Sequence, residues 1–309
     1  MTARLEFRDV SKWYGPVRAL DGVNLRLEQG ITGLVGPNGS GKTTLLRLAA
    51  GLTRPSSGTV LIGGQPAQAA RTRSQLGYVP ETDRFPEDWT GGDFLSVLAR
   101  FHGEIRRQQV ERCLHRVGLA HVAGRPIGSY SKGMKQRLKL AQALLHQPNV
   151  LLCDEPFNGV DPAGRAEFAR LLAELAQAGM VILVSSHQLE ELEQLADQFV
   201  VLARGRVLAQ GTLDQTRQQL ENYPSLICVE TSQPRQLAGW LLQWPMVLGV
   251  ELAGPQAIQM RVRQPHEFFT AFQRFVVEQH WDVYRLEMLD ASAEAVLQYL
   301  LAQRQPVPW

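Results

Sequence analysis

The stretch that decides the fold is "VGPNGSGKTTLL", residues 35–46. An apolar strand, "ITGLVG", runs into it and a helix, "KTTLLRLAAGL", follows, which is the context that the phosphate-loop pattern G-x-x-x-x-G-K-[ST] requires. Glycines let consecutive backbone N–H groups turn inward at the start of a helix, so the stretch predicts a site for nucleoside phosphates. Its candidate binding residues are Gly36, Pro37, Asn38, Gly39, Ser40, Gly41, Lys42, Thr43 and Thr44.

Two side chains of this loop carry specific expectations. The pattern places Lys42 against the β and γ phosphates, where its charge offsets theirs. It places the hydroxyl of Thr43 where it can ligate Mg²⁺. The loop therefore predicts a nucleotide and Mg²⁺, and leaves open what the nucleotide is used for.

Composition and charge are those of an ordinary globular protein. The 309 residues suffice for roughly two domains with separate cores. Hydrophobic residues make up 44% of the chain and charged residues 20%. The formal net charge is +2 and no long Lys/Arg block occurs, so nucleic acid is not expected as a partner.

The cysteines and the amino terminus exclude several other classes. The three cysteines, Cys113, Cys153 and Cys228, form no C-x-x-C pair, so neither a zinc site nor a disulfide framework is expected. This cysteine usage predicts a reducing compartment. The charged, alternating start "MTARLEFRDV" is not a secretory signal. No window holds about 18 consecutive apolar residues, so no direct membrane insertion is expected, and any membrane role requires a partner.

Strand and helix signals alternate through the first two thirds of the chain. Short strands are predicted up to "LGYVP", a helical segment at about 85–147, and then alternating apolar strands and amphipathic helices, the last of these helices from about Gln188. A hairpin turning at Arg204-Gly205 follows. This order predicts an α/β core with a buried, mainly parallel sheet.

A second domain is expected to begin near "ENYPSL", residues 221–226. Beyond it the predicted order is β-α-β-β-α-β, that of a small ferredoxin-like α+β domain, with a last helix ending near Arg304. The predicted division is therefore 1–220 and 221–309.

The segment "NVLLCDEP" places two carboxylates at the end of an apolar strand. At the carboxyl edge of the sheet that carries the phosphate loop, Asp154 is expected to ligate Mg²⁺. Its neighbour Glu155 suits a general base for an attacking water, a role that contributes about 10²–10⁴ in rate.

A third segment, "SYSKGMKQRLKLAQALL" at residues 129–145, begins an amphipathic helix. The hydroxyl of Ser131 and the amides near Gly133 could bind an anion, which would imply nucleotide shared between two subunits. Considered alone, this segment fits an ordinary capped helix better, because Ser is common at that position.

Taken together, residues 4–215 resemble the ATP-binding subunit of ABC transporters. The phosphate loop is similar to that family's Walker A, "VLLCDEP" to its Walker B and "YSKGMKQR" to its signature usually written LSGGQ-x-Q-R. The remaining family positions are matched by Tyr14 as the adenine-stacking aromatic, Glu81 in the Q-loop, Asp161 in the D-loop and His187 as the switch histidine.

The resemblance implies a RecA-like P-loop core with an antiparallel β subdomain and a helical insert. It implies an ATPase in which Lys42, Glu155 and His187 are catalytic and ATP–Mg²⁺ is sandwiched between two subunits. The chain would act as a homodimer or with a related ATPase subunit. It would drive a separately encoded membrane permease from the cytoplasmic face, and resembles the exporter branch.

Departures from the family pattern leave alternatives open. Lys132 and Met134 replace a Gly and the Gln of the usual signature, and Lys132 either approaches a partner's γ-phosphate or points to solvent. Glu81 replaces the usual Q-loop Gln; an ionised acid can ligate Mg²⁺ or accept from water but cannot donate.

Two other function classes fit less of the sequence. A soluble ABC-type ATPase acting on ribosomes or DNA usually carries two cassettes or long coiled-coil arms, and neither is visible. A P-loop kinase or GTPase does not explain the signature segment, and no N-K-x-D guanine motif is present.

Overall fold

The computed structural model describes residues 4–101, 107–216 and 225–289. The chain separates into two compact units, 1–212 and 213–309. The domain boundary expected between residues 220 and 221 lies outside the described residues, as does the last helix predicted to end near Arg304.

A six-stranded sheet forms the core of the first unit, in the order β10-β9-β3-β8-β7-β6. These strands are β3 (Gly30–Val35), β6 (Leu76–Val79), β7 (Val150–Cys153), β8 (Val181–Ser186), β9 (Gln198–Ala203) and β10 (Arg206–Gly211). All neighbours are parallel except β9 and β10, which form the predicted hairpin. Arg204 and Gly205 turn it with φ of 49° and 77°, a left-handed pair that suits tight hairpins.

An antiparallel sheet packs against the same core, as the resemblance implied. Its order is β2-β1-β4-β5, from β1 (Leu5–Tyr14), β2 (Val17–Leu27), β4 (Ser57–Ile62) and β5 (Gln65–Pro66). Phe7, Leu46 and Leu183, from β1, the helix after the phosphate loop and β8, belong to one buried cluster. The two sheets and that helix therefore share one hydrophobic core.

The helices of the first unit are α1 (Lys42–Ala49), α2 (Ala70–Arg73), α3 (Gly91–Phe101), α4 (Arg107–Arg116), α5 (Lys132–Leu144), α6 (Pro162–Gln177) and α7 (Glu190–Glu193). The segment from α3 to α5 is the predicted helical insert. Pro162 stands at the first position of α6, where its missing N–H costs nothing, and Phe168 and Leu172 bury the predicted face. Among the described helices, none has the length and apolar character needed to cross a bilayer.

The second unit has the predicted β-α-β-β-α-β order: β11 (Ser225–Thr231), α8 (Pro234–Leu241), β12 (Val247–Leu252), β13 (Ala257–Val262), α9 (Pro265–Glu278) and β14 (Val283–Met288). Its antiparallel sheet has the order β12-β13-β11-β14, which is the ferredoxin-like arrangement. Trp244 packs on Phe268 and Phe275 with ring centroids 5.7 and 5.5 Å apart, so this tryptophan belongs to the unit's own core. Trp240 is 51% exposed.

Candidate functional site

Three motif segments leave the six-stranded sheet at one edge. The strands β3, β8 and β7 are adjacent and parallel, so their carboxyl ends lie side by side. The phosphate loop follows β3, Asp154 and Glu155 follow β7, and His187 follows β8. Open parallel sheets bind ligands at this edge, and here the sheet brings together residues from three distant parts of the sequence.

The glycines of the phosphate loop meet specific backbone constraints. Gly41 has φ of 110°, and a methyl group added to it would lie 2.6 Å from the carbonyl oxygen of Ala19. A methyl group on Gly36 would lie 2.2 Å from the carbonyl oxygen of Leu202. Only glycine therefore lets the loop run this close to its neighbours.

The start of α1 is left open for an anion. Gly41 is its N-cap residue and supplies no side-chain hydrogen bond to the first amides of the helix. The Ser40 hydroxyl is buried without a hydrogen-bond partner among the described residues. At the loop tip Asn38 and Gly39 are exposed, whereas Pro37 is half-buried. Donors at a helix start, together with an unpartnered buried hydroxyl, fit a phosphate group.

The amine of Lys42 is folded into the loop. Its Nζ donates to the carbonyl oxygen of Gly36 at 2.6 Å and that of Pro37 at 3.3 Å. It also lies 3.2 Å from Oε1 of Glu155, an ion-pair distance without hydrogen-bond geometry. Both charged side chains are over nine-tenths buried, so each offsets the other's loss of hydration.

Asp154 accepts hydrogen bonds from three hydroxyls. Ser185 Oγ and Thr43 Oγ1 donate to its Oδ1 at 2.9 and 3.2 Å, and the Tyr78 hydroxyl donates to Oδ2 at 3.3 Å. Burial raises the pKa of Asp154, and these three hydrogen bonds act in the opposite direction. Burial, together with the charge of Asp154, also raises the pKa of Tyr78, which stays a protonated donor.

This donor set fits Mg²⁺. Thr43 and Asp154, two of the three predicted ligands, offer hard oxygen atoms 3.2 Å apart. No cluster of three His, Cys, Asp or Glu side chains suited to a metal occurs within residues 4–101, 107–216 and 225–289. A small cation here would depend on Thr43, Asp154, water and phosphate oxygens, which is how Mg²⁺ commonly binds.

Glu155 is held in an unusual backbone conformation. Its φ is 46°, and its N–H donates to Ser185 Oγ at 2.9 Å. Left-handed backbone at a non-glycine residue costs about 1–3 kcal/mol and is concentrated at functional sites. Its Oε2 accepts from His187 Nδ1 at 2.8 Å; a carboxylate only accepts, so this nitrogen carries the proton. Glu155 thus contacts both of the other predicted catalytic residues, Lys42 and His187.

Tyr14 lies at the end of β1, 46% exposed. The Lys12 amine sits 5.0 Å from its ring centroid. An exposed aromatic ring is available for stacking on a base, as the resemblance implied. Thr44, the last residue of the predicted phosphate set, is half-buried in α1.

The signature residues contact their own chain. Ser131 is the N-cap of α5, and its hydroxyl accepts from the Met134 amide at 3.2 Å. A methyl group on Gly133 would lie 3.6 Å from Val160 Cγ1 and 3.7 Å from Asp161 Oδ1. Asp161 is the N-cap of α6 but makes no side-chain cap bond. These contacts join the signature to the D-loop and do not include the phosphate loop.

The side chain of Lys132 is 45% exposed and pairs with an acid of its own chain. Its Nζ lies 3.3 Å from Oδ2 of Asp83, while Asp83 Oδ1 is 2.8 Å from the amine of Lys139. Lys139, which is buried, also donates to the backbone carbonyl of Glu81 at 3.2 Å. The Glu81 side chain itself is exposed. Within the described residues, the signature helix is therefore tied to the segment that carries Glu81.

Sequence reasoning overlooked two residues of this site. Ser185 bonds both Asp154 and the Glu155 amide, and Tyr78 bonds Asp154. A signal was available, because both residues stand near the carboxyl ends of strands β8 and β6 in the same parallel sheet.

Known proteins resemble this chain over most of its length. Residues 20–158 match the family described as ABC transporter. The uncharacterized ABC transporter ATP-binding protein YxlF of Bacillus subtilis (strain 168) is 36% identical over 255 residues, covering 81% of this chain and 84% of that protein. Nod factor export ATP-binding protein I of Burkholderia orbicola is 38% identical over 215 residues, covering 68% of this chain and 71% of that protein.

A solved structure, that of the ATP binding subunit of an ABC transporter, is similar in both sequence and fold. It is 33% identical, with a TM-score of 0.63 over 70% of this chain and 92% of that one. Similarity at this level extends well beyond the phosphate loop that many ATPases share. The chain belongs to the family of ABC transporter ATP-binding proteins, which are ATPases.

Proposed function

We propose that the chain is the ATP-hydrolysing subunit of an exporter-type ABC transporter. Two copies, or one copy and a related subunit, bind two ATP–Mg²⁺ between them and drive a separately encoded membrane permease. The observation that carries the proposal is the convergence of Lys42, Thr43, Asp154, Glu155 and His187 at one edge of the parallel sheet.

The buried charges suit phosphoryl transfer to water. The water oxygen bonds to the γ-phosphorus, the bond to the β,γ-bridging oxygen breaks, and ADP leaves with that electron pair. Glu155 orients the water and takes its proton, while Lys42 offsets the negative charge on the phosphates. Mg²⁺, held by Thr43 and Asp154, supplies further positive charge to the phosphate oxygens when bound.

His187 is placed to keep Glu155 in position. Its Nδ1 donates to Glu155 Oε2 over an N···O distance of 2.8 Å, so the imidazole orients the carboxylate. In the proposed reaction the ring also holds the γ-phosphate by donating from Nε2, which must then carry a proton in addition to the one on Nδ1, because phosphate oxygens only accept. The Lys42 amine must exchange part of its contact with Glu155 for contact with phosphate, which leaves the carboxylate free to take a proton.

The arrangement of the signature supports a site shared between two copies. In one chain Ser131 and Gly133 contact α5 and the D-loop, and these contacts do not reach the phosphate loop. The amides at the start of α5 nevertheless form a second anion-binding helix end. A second copy in head-to-tail orientation would bring that helix end to the γ-phosphate, a symmetric arrangement typical of homodimers.

Export through a permease is supported by the relatives. One relative is named for Nod factor export. By this analogy the chain works at the cytoplasmic face of the membrane and transmits the closing and opening of the ATP-bound pair to its permease. The α3–α5 insert and the segment around Glu81 are the proposed contact with that permease.

Glu155→Gln tests the proposed catalysis and the proposed dimer together. The amide keeps an oxygen that accepts from His187 but cannot take a proton, so turnover should fall by about 10²–10⁴. The variant should still bind ATP and, in sedimentation velocity, form a dimer only when ATP is present. Glu174→Gln, on the exposed face of α6, is the matched control and should hydrolyse ATP like the parent.

The two halves of this experiment fail separately. Near-parent turnover in Glu155→Gln contradicts the assignment of the general base. Tight ATP binding without dimer formation contradicts the shared site and leaves the catalytic assignment standing.

A further inference from the structure

A hydrogen-bonded chain of side chains runs beside His187 without belonging to any of the motifs. Arg165 lies near the start of α6, Glu191 in α7 and Ser186 at the end of β8. Arg165 Nη1 donates to Glu191 Oε1 at 2.8 Å, and Ser186 Oγ donates to Glu191 Oε2 at 2.6 Å. One buried carboxylate therefore joins α6 to the last residue of β8.

At its Arg165 end, this series of hydrogen bonds holds the D-loop, the segment that contains Val160 and Asp161. Arg165 Nε donates to the carbonyl oxygen of Val160 at 2.8 Å. The Val160 side chain lies close to two glycines: a methyl group added to Gly164 would be only 2.8 Å from its Cγ1, and one added to Gly133 would make an ordinary contact with it at 3.6 Å. An approach of the signature helix at Gly133 by more than that gap would reach Val160, whose carbonyl accepts from Arg165.

At the other end it fixes the backbone around the switch histidine. Ser186 directly precedes His187, is fully buried, and accepts at Oγ from the amide of Gln188 at 3.0 Å. The hydroxyl thus has both its donor and its acceptor roles filled, by Glu191 and by Gln188. His187 lies between these two anchored residues and contacts Glu155 at 2.8 Å. Glu191 therefore anchors the backbone segment that carries the imidazole.

The guanidinium of Arg165 makes two hydrogen bonds that no other type of side chain could make together. Its planar fork donates from Nε to a backbone carbonyl and from Nη1 to a carboxylate at the same time. A lysine has one nitrogen and lacks this fixed geometry. Charge-assisted bonds of this kind are about twice as strong as neutral ones, so the link is stiff.

We propose that Arg165 and Glu191 are positioning residues. They orient the imidazole ring of His187, and its orientation changes when Val160 in the D-loop is displaced. They make hydrolysis respond to the second copy: approach of the partner moves the signature helix and the D-loop, and the Arg165–Glu191 link passes that shift to His187 and Glu155. This inference rests on the proposed function, because it needs a partner to act on the D-loop.

The first test is Arg165→Met, which keeps the volume and removes the fork. We expect kcat to fall about tenfold, which is the rate change that corresponds to a typical coupling energy between residues in one hydrogen-bonded network. The KM for ATP should stay within about twofold of the parent value. Glu191→Gln, which keeps an acceptor for Ser186 but loses the charge, should show a smaller loss. Arg165→Lys should not restore the parent rate, because it cannot hold both partners.

Arg170→Met is the matched control. Arg170 lies on the same helix and pairs with Glu174 on its exposed face. It removes an ion pair of the same type from α6, and should leave kcat, KM and the melting temperature unchanged.

A double-variant cycle separates positioning from simple stability. In a His187→Ala background the residue to be positioned is absent, so adding Arg165→Met should cause no further loss of kcat. Parent-like kcat in Arg165→Met, or an equal tenfold loss in the His187→Ala background, would overturn the proposal. Parent-like turnover in both His187→Ala and Glu155→Gln would instead overturn the proposed catalytic site, so the two failures are distinguishable.

Discussion

Two helices of the first unit begin at anion-binding sequences, and their starts differ. The start of α1 follows Gly41, has no side-chain cap, and lies beside the unpartnered hydroxyl of Ser40. The start of α5 is closed by Ser131, whose hydroxyl accepts from the Met134 amide. One helix start is prepared for phosphate within a single chain, whereas the other has its first donors partly satisfied by its own residue.

The difference also appears in the charged neighbours. At α1 the Lys42 amine faces Glu155 and His187 lies behind it, so the charges belong to the proposed reaction. At α5 the Lys132 amine faces Asp83, which in turn pairs with the buried Lys139. This contrast fits the proposal that α1 binds nucleotide within one chain and that α5 contributes when a second copy approaches.

Gly41→Ala should have the largest effect on this contrast. Alanine at φ of 110°, with a methyl 2.6 Å from the Ala19 carbonyl oxygen, forces the loop to shift, at a cost of about 2–5 kcal/mol in the free energy of unfolding. ATP binding, measured by calorimetry, should be lost.

Gly39→Ala is the control within the loop, since φ of 80° is strained but nothing lies within 4 Å of the added methyl. It should be destabilised less and should keep measurable ATP binding. Equal loss in both variants would show that left-handed backbone, rather than close approach, sets the requirement.

Gly133→Ala should separate binding from turnover. Its methyl would make ordinary contacts of 3.6 to 3.7 Å, so the free energy of unfolding should change by no more than about 0.5 kcal/mol. ATP affinity of the single chain should also be unchanged. Turnover should fall about 10- to 100-fold, because the methyl would stand between the start of α5 and the partner's phosphate and keep the two apart. Parent-like turnover would remove Gly133 from the proposed site.

Ser131→Ala should cost stability as well as turnover. Loss of the cap hydrogen bond to Met134 should lower the free energy of unfolding by about 1 kcal/mol in urea denaturation. Ser96→Ala is the control, because Ser96 bonds a carbonyl within α3 and caps nothing. If Ser131→Ala and Ser96→Ala had the same free energy of unfolding, the cap hydrogen bond at α5 would contribute nothing to stability.

The smallest expected effect concerns the acid side of the stability profile. Burial raises the pKa of Asp83, but the hydrogen bonds and charges of Lys139 and Lys132 outweigh it and hold the pKa below its ordinary value of 3.8. Its contribution to stability is therefore present above pH 3.8 and lost as pH falls through the lowered value. Asp83→Asn should make urea midpoints less dependent on pH in that acid window, and an unchanged acid slope would contradict the assignment.

Much of the fold follows from local patterns. The mostly apolar "ITGLV" is buried in the middle of the parallel sheet, and the Phe168 and Leu172 face of α6 is buried as its spacing predicts. Short apolar strands alternating with amphipathic helices are enough to identify the architecture. One local prediction extended too far: the helix expected from about Gln188 forms only as α7, a single turn.

The sequence was enough to identify the main residues of the candidate site. It did not show which of their charged side chains contact one another. The end of a strand locates Asp154, Glu155 and His187, yet no spacing says that Lys42 faces Glu155 rather than solvent. Lys132 illustrates the limit further. Its counter-ion Asp83 lies on another segment, and only the packing of α5 brings the two together. Long-range pairs between ordinary charged residues leave no mark in a single sequence.

The central claim is that each nucleotide site takes Lys42 from one copy and Ser131 from another. The most direct measurement mixes two inactive variants, Lys42→Met and Ser131→Glu, before adding ATP–Mg²⁺. Each variant alone should be inactive, whereas random pairing gives mixed dimers with one intact site and about a quarter of the parent turnover. A mixture as inactive as its components, or parent turnover from chains diluted until strictly monomeric, would contradict the claim.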